Sequence, residues 1–318
     1  MKTLVIFSLA LIASQLVLAQ DRIASTVTFK SGKQTIEGIL IQPHNEGKMP
    51  AVVFQQGSGP HPFDGVEEEA WGPHKFYIED LLLEQGYAVL YCNKRGLGNS
   101  TGNWKTNDFY GRADDAYAAV QYLKTRQDID TSRIGITGHS QGGWVAQLTA
   151  SQHTDIAFVL SLAGPTVSIK AQTSMYDSLM YICKGVSGDL LEKKMHKYHP
   201  RKRRAASIGR TLPFIRSAYY WHLIFDYDHD EALKNLTCPT LLLYAEHDVN
   251  VPPGQNIGHL NEVFDNNTPS NISVKVMKAG QHAFYKVDNR CVDWETATQQ
   301  PFDPEFRNEI RNWLLKLD

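Results

Sequence analysis

Gly138-His139-Ser140-Gln141-Gly142 stands directly after the apolar stretch Ile134-Gly135-Ile136-Thr137 and directly before Gly143-Trp144-Val145-Ala146-Gln147-Leu148, which reads as a helix. A serine with a glycine two positions away on each side, placed on a strand-to-helix turn, presents its hydroxyl where a substrate can meet it. A β-carbon at either flanking position would collide with neighbouring backbone. The hydroxyl is a weak nucleophile until a base takes its proton, and the base needs an acid to orient it. In turns of this kind the partners follow in the chain order serine, acid, histidine. Asp248 comes just after the apolar run Thr240–Tyr244, in Ala245-Glu246-His247-Asp248-Val249-Asn250-Val251-Pro252. His282 comes just after Ile272–Met277, in Ala279-Gly280-Gln281-His282-Ala283-Phe284. Ser140, Asp248 and His282 are therefore the expected nucleophile, orienting acid and general base, with Glu246 the main competitor as acid. His139, beside the serine, is expected to pack or bond locally. Most other histidines, His61 and His229 among them, are expected to be solvated or structural.

A tetrahedral oxyanion needs two backbone N–H donors, one from the residue after the nucleophile and one from the loop after the third strand. Gln141 supplies the first. The run Ala51–Phe54 leads into Gln55-Gln56-Gly57-Ser58-Gly59-Pro60, and Ser58 is the candidate for the second.

The elements that must hold these residues follow from periodicity. Strands near Ser25–Phe29 and Thr35–Ile41 form a hairpin through Ser31-Gly32-Lys33. Short apolar runs at Ala51–Phe54, Tyr87–Tyr91, Arg133–Thr137, Ala157–Leu162, Thr240–Tyr244 and Ile272–Met277 then alternate with helical segments, among them Phe76–Glu84, Asp108–Lys124 and Pro304–Leu317. That alternation implies an α/β fold, a mostly parallel eight-stranded sheet flanked by helices, with ligands beyond the carboxyl ends of the strands. It is suspended between Leu162 and Thr240. A helical cap over about residues 165–236, inserted before the acid-bearing strand, is the simplest reading. The cap holds Tyr219-Tyr220-Trp221, which could wall an apolar pocket with Trp221 as a substrate contact, and a basic run, Lys193–Arg204. Such a run is usually a solvated helix face, and otherwise a lure for anionic substrates.

The chain has 318 residues, 42% hydrophobic and 21% charged, with a net charge of −2. That composition suits one large globular domain over residues 20–318 and implies neither a nucleic-acid partner nor an anionic membrane. Lys2, the apolar run Leu4–Val17 and Val17-Leu18-Ala19 resemble a cleavable signal peptide over residues 1–19. The run is too short for a membrane anchor, so a secreted or periplasmic location is expected. Cys92, Cys183, Cys238 and Cys291 are too scattered for a metal site, and their pairing stays open, with Cys92 the most suited to a buried position. A dehalogenase would carry aspartate at position 140, and no H-E-x-x-H, dinucleotide fingerprint or phosphate-binding loop is present, so no cofactor or metal is expected. The sequence sets no oligomeric state.

Together these residues resemble the α/β-hydrolase superfamily, in particular its exported bacterial serine aminopeptidase-like and dienelactone-hydrolase-like members. Besides GHSQGG, the matches are QGSGP for the usual HGSGP, NKRGLGNSTG (Asn93–Gly102) for a D-K-R-G-x-G-x-S-x-G run, and EHDVNVP for an x-x-D-x-x-V-P run. Gln56 and Asn93 depart from the usual histidine and acid, so loop anchoring is expected to differ. The resemblance implies acyl transfer to water through an acyl-enzyme on Ser140. A small-molecule carboxylic ester or short acyl compound is the first-choice substrate, a peptide or amide the second, and a catalytically silent binding protein the alternative of another kind.

Overall fold

The computed structural model describes residues 22–45, 47–63 and 73–317, so the expected signal peptide lies outside the described residues. Eight strands form one sheet in the order β1-β2-β4-β3-β5-β6-β7-β8. They are β1 (Arg22–Ser31), β2 (Gln34–Pro43), β3 (Met49–Gln55), β4 (Ala88–Cys92), β5 (Ile129–His139), β6 (Val159–Leu162), β7 (Thr240–Ala245) and β8 (Ile272–Met277). The β1–β2 and β2–β4 pairs are antiparallel and the rest parallel, as the alternation of strands and helices requires. The hairpin is tighter than the sequence suggested. Ser31 pairs with Gln34, leaving Gly32-Lys33 as the turn, with Gly32 at φ 55°. Strand β5 begins earlier than expected, because its polar start Ile129-Asp130-Thr131-Ser132 carries no apolar signal.

Helices cover both faces: α1 (Pro73–Glu84), α2 (Phe109–Lys124), α3 (Gln141–Gln152), α8 (Pro253–Val263) and α10 (Pro304–Leu314) among them. Strand alternation divides the core in two. Ala51 and Val53 of β3, Leu90 of β4 and Leu242 and Tyr244 of β7 face α2, α3 and α8. Their neighbours Val52, Phe54, Val89, Leu241 and Leu243 face α1 and α10. This two-sided burial is why the central strands are continuous apolar runs. Asp108 caps α2, its carboxylate accepting from Gly111 N–H at 2.8 Å, and Asp303 caps α10 ahead of Pro304.

Between β6 and β7 the chain forms α4 (Ile169–Cys183), α5 (Gly188–Thr211), α6 (Arg216–Ile224) and α7 (Asp230–Lys234). A disulfide joins Cys183, at the end of α4, to Cys291, between His282 and α9 (Trp294–Thr298). It ties the inserted helices to the segment after β8. Cys92 and Cys238 are free thiols, and burial raises both above the usual range. Among the described residues no helix is long and apolar enough to cross a membrane.

A second tie is polar. His229, fully buried ahead of α7, accepts from the Tyr227 hydroxyl at Nδ1 (2.7 Å) and donates from Nε2 to Gln147 Oε1 (3.0 Å) on α3. Burial holds its pKa at about 3, so the folded protein keeps it neutral. The unfolded chain binds a proton there below about pH 6.5. Stability from this site is therefore full above that pH and falls as the pH drops towards 3, by about 2 kcal/mol at pH 5. Urea denaturation at pH 7 and pH 5 should show His229→Gln less stable at pH 7 but losing less on acidification. Equal losses in both proteins would place the proton uptake elsewhere.

Candidate active site

The parallel strands end together. Gln55 pairs with Gly138, His139 with Leu162, Leu162 with Leu243, and Ala245 with Met277. The loops leaving β3, β5, β7 and β8 are thereby brought to one edge.

At the end of β5 the chain turns sharply at Ser140, with φ 56° and ψ −124°, and enters α3 at once. Its N–H donates to Leu162 O (2.9 Å) and its carbonyl accepts from Gly143 N–H (2.8 Å), so the strained residue is held on both sides. The flanking glycines are steric necessities. A β-carbon at Gly138 would sit 2.2 Å from Gly142 O, and one at Gly142 would sit 2.1 Å from Gln55 O. Gly142→Ala should therefore cost about 3 kcal/mol or more, whereas Gly258→Ala, in open space on α8, should gain about 0.5–1 kcal/mol. Similar shifts in the two denaturation midpoints would refute this account of the turn.

Asp248, buried beyond β7, directs Oδ2 at His282 Nδ1 (2.7 Å), and its Oδ1 accepts from Asn250 N–H (2.7 Å) and Val251 N–H (2.9 Å). The acid is thus locked by its own loop. His139 donates from Nε2 to His282 O (2.9 Å), their rings 4.6 Å apart, so its local role is to fasten the His282 loop. Glu246 is exposed and accepts from Ala279 N–H at 2.9 Å instead of approaching the imidazole.

Ser140 and His282 face one cavity of about 710 Å³. Ser58 and Gln141 line it, as do Trp221 and Tyr220 of α6, Tyr176 of α4 and Lys202 of α5. Tyr219 is not among its lining residues and lies instead near His222, with ring centres 6.0 Å apart. Among the described residues the basic run reaches the site through Lys202. Lys202 pairs with Asp177 (2.7 Å) and sits 5.8 Å from the Trp221 ring centre. Sequence reasoning missed Trp104, Trp144 and Gln172 in the wall, and it set aside His61, which also lines the cavity and has a pKa lowered by burial and by Lys94. No local spacing marks any of these four.

Behind the Gln56–Gly59 loop lie two basic side chains. Arg112 of α2, buried, donates to Gln56 O (2.8 Å) and to Gln141 Oε1 (2.6 Å), which also accepts from the Tyr220 hydroxyl (3.3 Å). Lys94, just after β4, donates to Gly57 O (2.5 Å) and Gly59 O (2.7 Å). Burial, with repulsion from Arg112, holds the lysine well below its usual pKa range. The two departures at Gln56 and Asn93 both anchor this region. Gln56 Nε2 donates to Cys92 O (2.9 Å), while Asn93 accepts from Phe63 N–H (2.5 Å) and donates to Glu37 (3.0 Å). Among the described residues no group of three or more His, Cys, Asp or Glu side chains is placed to hold a metal ion.

A mostly parallel sheet with an elbow serine, a buried carboxylate–imidazole pair and a cavity over the strand ends defines an α/β-hydrolase. The family model described as X-Pro dipeptidyl-peptidase (S15 family) matches residues 35–283, and the chain belongs to that family. Esterase EstD of Thermotoga maritima is 26% identical over 293 residues, covering 92% of this chain and 66% of EstD. Human dipeptidyl peptidase 8 is 32% identical over 149 residues, 42% of this chain. The chain thus spans just under two thirds of the first relative's length, and the match with the second reaches 16% of its length. Among solved structures, the Pyrococcus furiosus esterase Pf2001 superposes with a TM-score of 0.60 at 18% identity, covering 94% of this chain and 91% of its own.

Proposed function

We propose that the protein cleaves carboxylic esters through an acyl-enzyme on Ser140. The observation that carries this reading is the buried Asp248–His282 contact of 2.7 Å, in a site whose histidine shares one cavity with the strained Ser140. In the proposed reaction His282 Nε2 takes the Ser140 proton as Oγ attacks the ester carbonyl carbon. The negative charge moves to the carbonyl oxygen, where the N–H groups of Ser58 and Gln141 receive it. His282 then returns the proton to the departing alkoxide, and water repeats the sequence in reverse to free the acid and the serine. Asp248 stays ionised throughout, holding the proton-bearing Nδ1 of the imidazole. Trp221, Tyr220, Trp104 and Tyr176 supply an apolar wall suited to a bulky or aromatic acyl or alcohol part.

Hydrolysis of p-nitrophenyl esters from acetyl to decanoyl, beside aminoacyl p-nitroanilides, tests the reading. Ester turnover supports it, and anilide turnover alone replaces it with a peptidase. The peptidase reading is favoured by the description of the matching family. Export with cleavage after Ala19 is part of the proposal, supported by the Cys183–Cys291 disulfide, which suits an oxidising compartment.

A further inference from the structure

The peptide joining Gly57 to Ser58 is flanked by glycines, Gly57 before it and Gly59 after Ser58, with Gly59 at φ 93°. Such a segment can turn a peptide plane either way at little cost. One orientation presents the Ser58 N–H to the cavity, and the other presents the Gly57 carbonyl, whose partial negative charge would repel an oxyanion. The loop's own sequence does not choose between them.

The choice is made from behind. No cis peptide is present among the described residues, so each N–H points opposite the carbonyl of its own peptide. Lys94 Nζ grips Gly57 O at 2.5 Å and Gly59 O at 2.7 Å. Lys94 lines a small space behind the loop together with Gln56 and Arg112, whereas Gly57, Ser58 and Gly59 line the large cavity. A carbonyl drawn towards Lys94 therefore sends the Ser58 N–H towards Ser140. A β-carbon at Gly57 would lie 3.6 Å from that of Ser140, so this peptide is at the reacting end of the cavity. Arg112 acts on the preceding peptide in the same sense, holding Gln56 O at 2.8 Å, and its other arm fixes the Gln141 side chain at 2.6 Å.

We infer that Lys94 is a positioning residue for the reaction, setting the direction of the Ser58 N–H so that the oxyanion site exists before substrate arrives. This rests on the proposed role of Ser58 as an oxyanion donor. Among the described residues both hydrogen bonds of Lys94 end on neutral carbonyls, and Arg112 disfavours a positive charge on it. A buried lysine amine placed this way adds little stability. Its return is a donor already aligned, which lowers the barrier without reorganisation during the reaction.

The test compares full-length wild type, Lys94→Met and Lys94→Gln on a neutral p-nitrophenyl ester, with a trifluoromethyl ketone as the tetrahedral mimic. Lys94→Met should lower kcat by about 100-fold with KM changed less than about threefold, and should weaken the ketone in the same proportion. Lys94→Gln, which keeps a donating amide, should recover part of the loss. It also carries the comparison if Lys94→Met does not fold. In ¹⁵N-serine-labelled wild type the Ser58 amide signal should move downfield when the ketone adds to Ser140, and in Lys94→Met that movement should shrink or vanish. A Ser58 signal that moves equally in both proteins, or a kcat within about threefold of wild type, overturns the role of Lys94 and leaves Ser58 as a donor. A wild-type Ser58 signal that ignores the ketone removes Ser58 from the oxyanion site, and this inference with it, while Ser140-dependent turnover stands or falls separately.

Discussion

Ser140→Ala should abolish ester turnover, by roughly 10⁴- to 10⁶-fold, while leaving the melting temperature nearly unchanged. The two halves of this expectation have separate causes. The loss comes from the missing nucleophile: under the proposed mechanism the cavity and the Ser58 and Gln141 N–H groups survive, but no hydroxyl remains to be acylated. The unchanged stability follows from what the side chain does not do. Ser140 sits at the N-terminus of α3 without a side-chain capping bond, and its backbone is held by Leu162 O and Gly143 N–H, which alanine retains. Alanine also keeps the β-carbon, hence the strain of φ 56°. Glycine would release it, so Ser140→Gly should be inactive and about 1 kcal/mol more stable. Purified Ser140→Ala retaining more than a tenth of wild-type activity would mean that water attacks directly and that the acyl-enzyme does not form.

The second large effect separates two acids that are near neighbours in the chain. Asp248→Asn should lower kcat by about 10⁴-fold, and Glu246→Gln should leave it within about threefold. At position 248 the Oδ1 side is committed to the N–H groups of Asn250 and Val251, so an asparagine must place its oxygen there and turn its NH₂ group to His282. The imidazole then has to accept at Nδ1 and carry its proton on Nε2, which leaves no base for the serine. Glu246 makes its contact with Ala279 N–H, and glutamine offers the same acceptor. Kinetics on the two variants decide the matter. A crippled Glu246→Gln beside a mild Asp248→Asn would transfer the orienting role to Glu246.

What could be read in advance was whatever the chain records locally. The G-x-S-x-G spacing encodes a steric condition within five residues, and a β-carbon at Gly138 or Gly142 would indeed collide with backbone. Strand runs buried on both faces are mostly apolar, so β3, β4, β6 and β7 were legible, and with them the end from which Asp248 projects. The polar start of β5 was not, because its pairing depends on a neighbour far away in sequence.

The sequence by itself therefore determined the sheet, the elbow, the chain order of Ser140, Asp248 and His282 and the presence of an insertion, since each follows from short-range sterics or periodic burial. Only the tertiary structure decided that Cys183 joins Cys291, that His229 links the inserted helices to α3, and that Trp104 and Trp144 share a wall with Trp221. It also brought Lys94 and Arg112 behind the Gln56–Gly59 loop, 35 to 56 residues from the carbonyls they hold. The physical reason is the same in every case. A hydrogen bond, a disulfide or a cavity wall depends on distance in space, and the sheet sets that distance by closing loops whose length leaves no periodic or local mark on the chain.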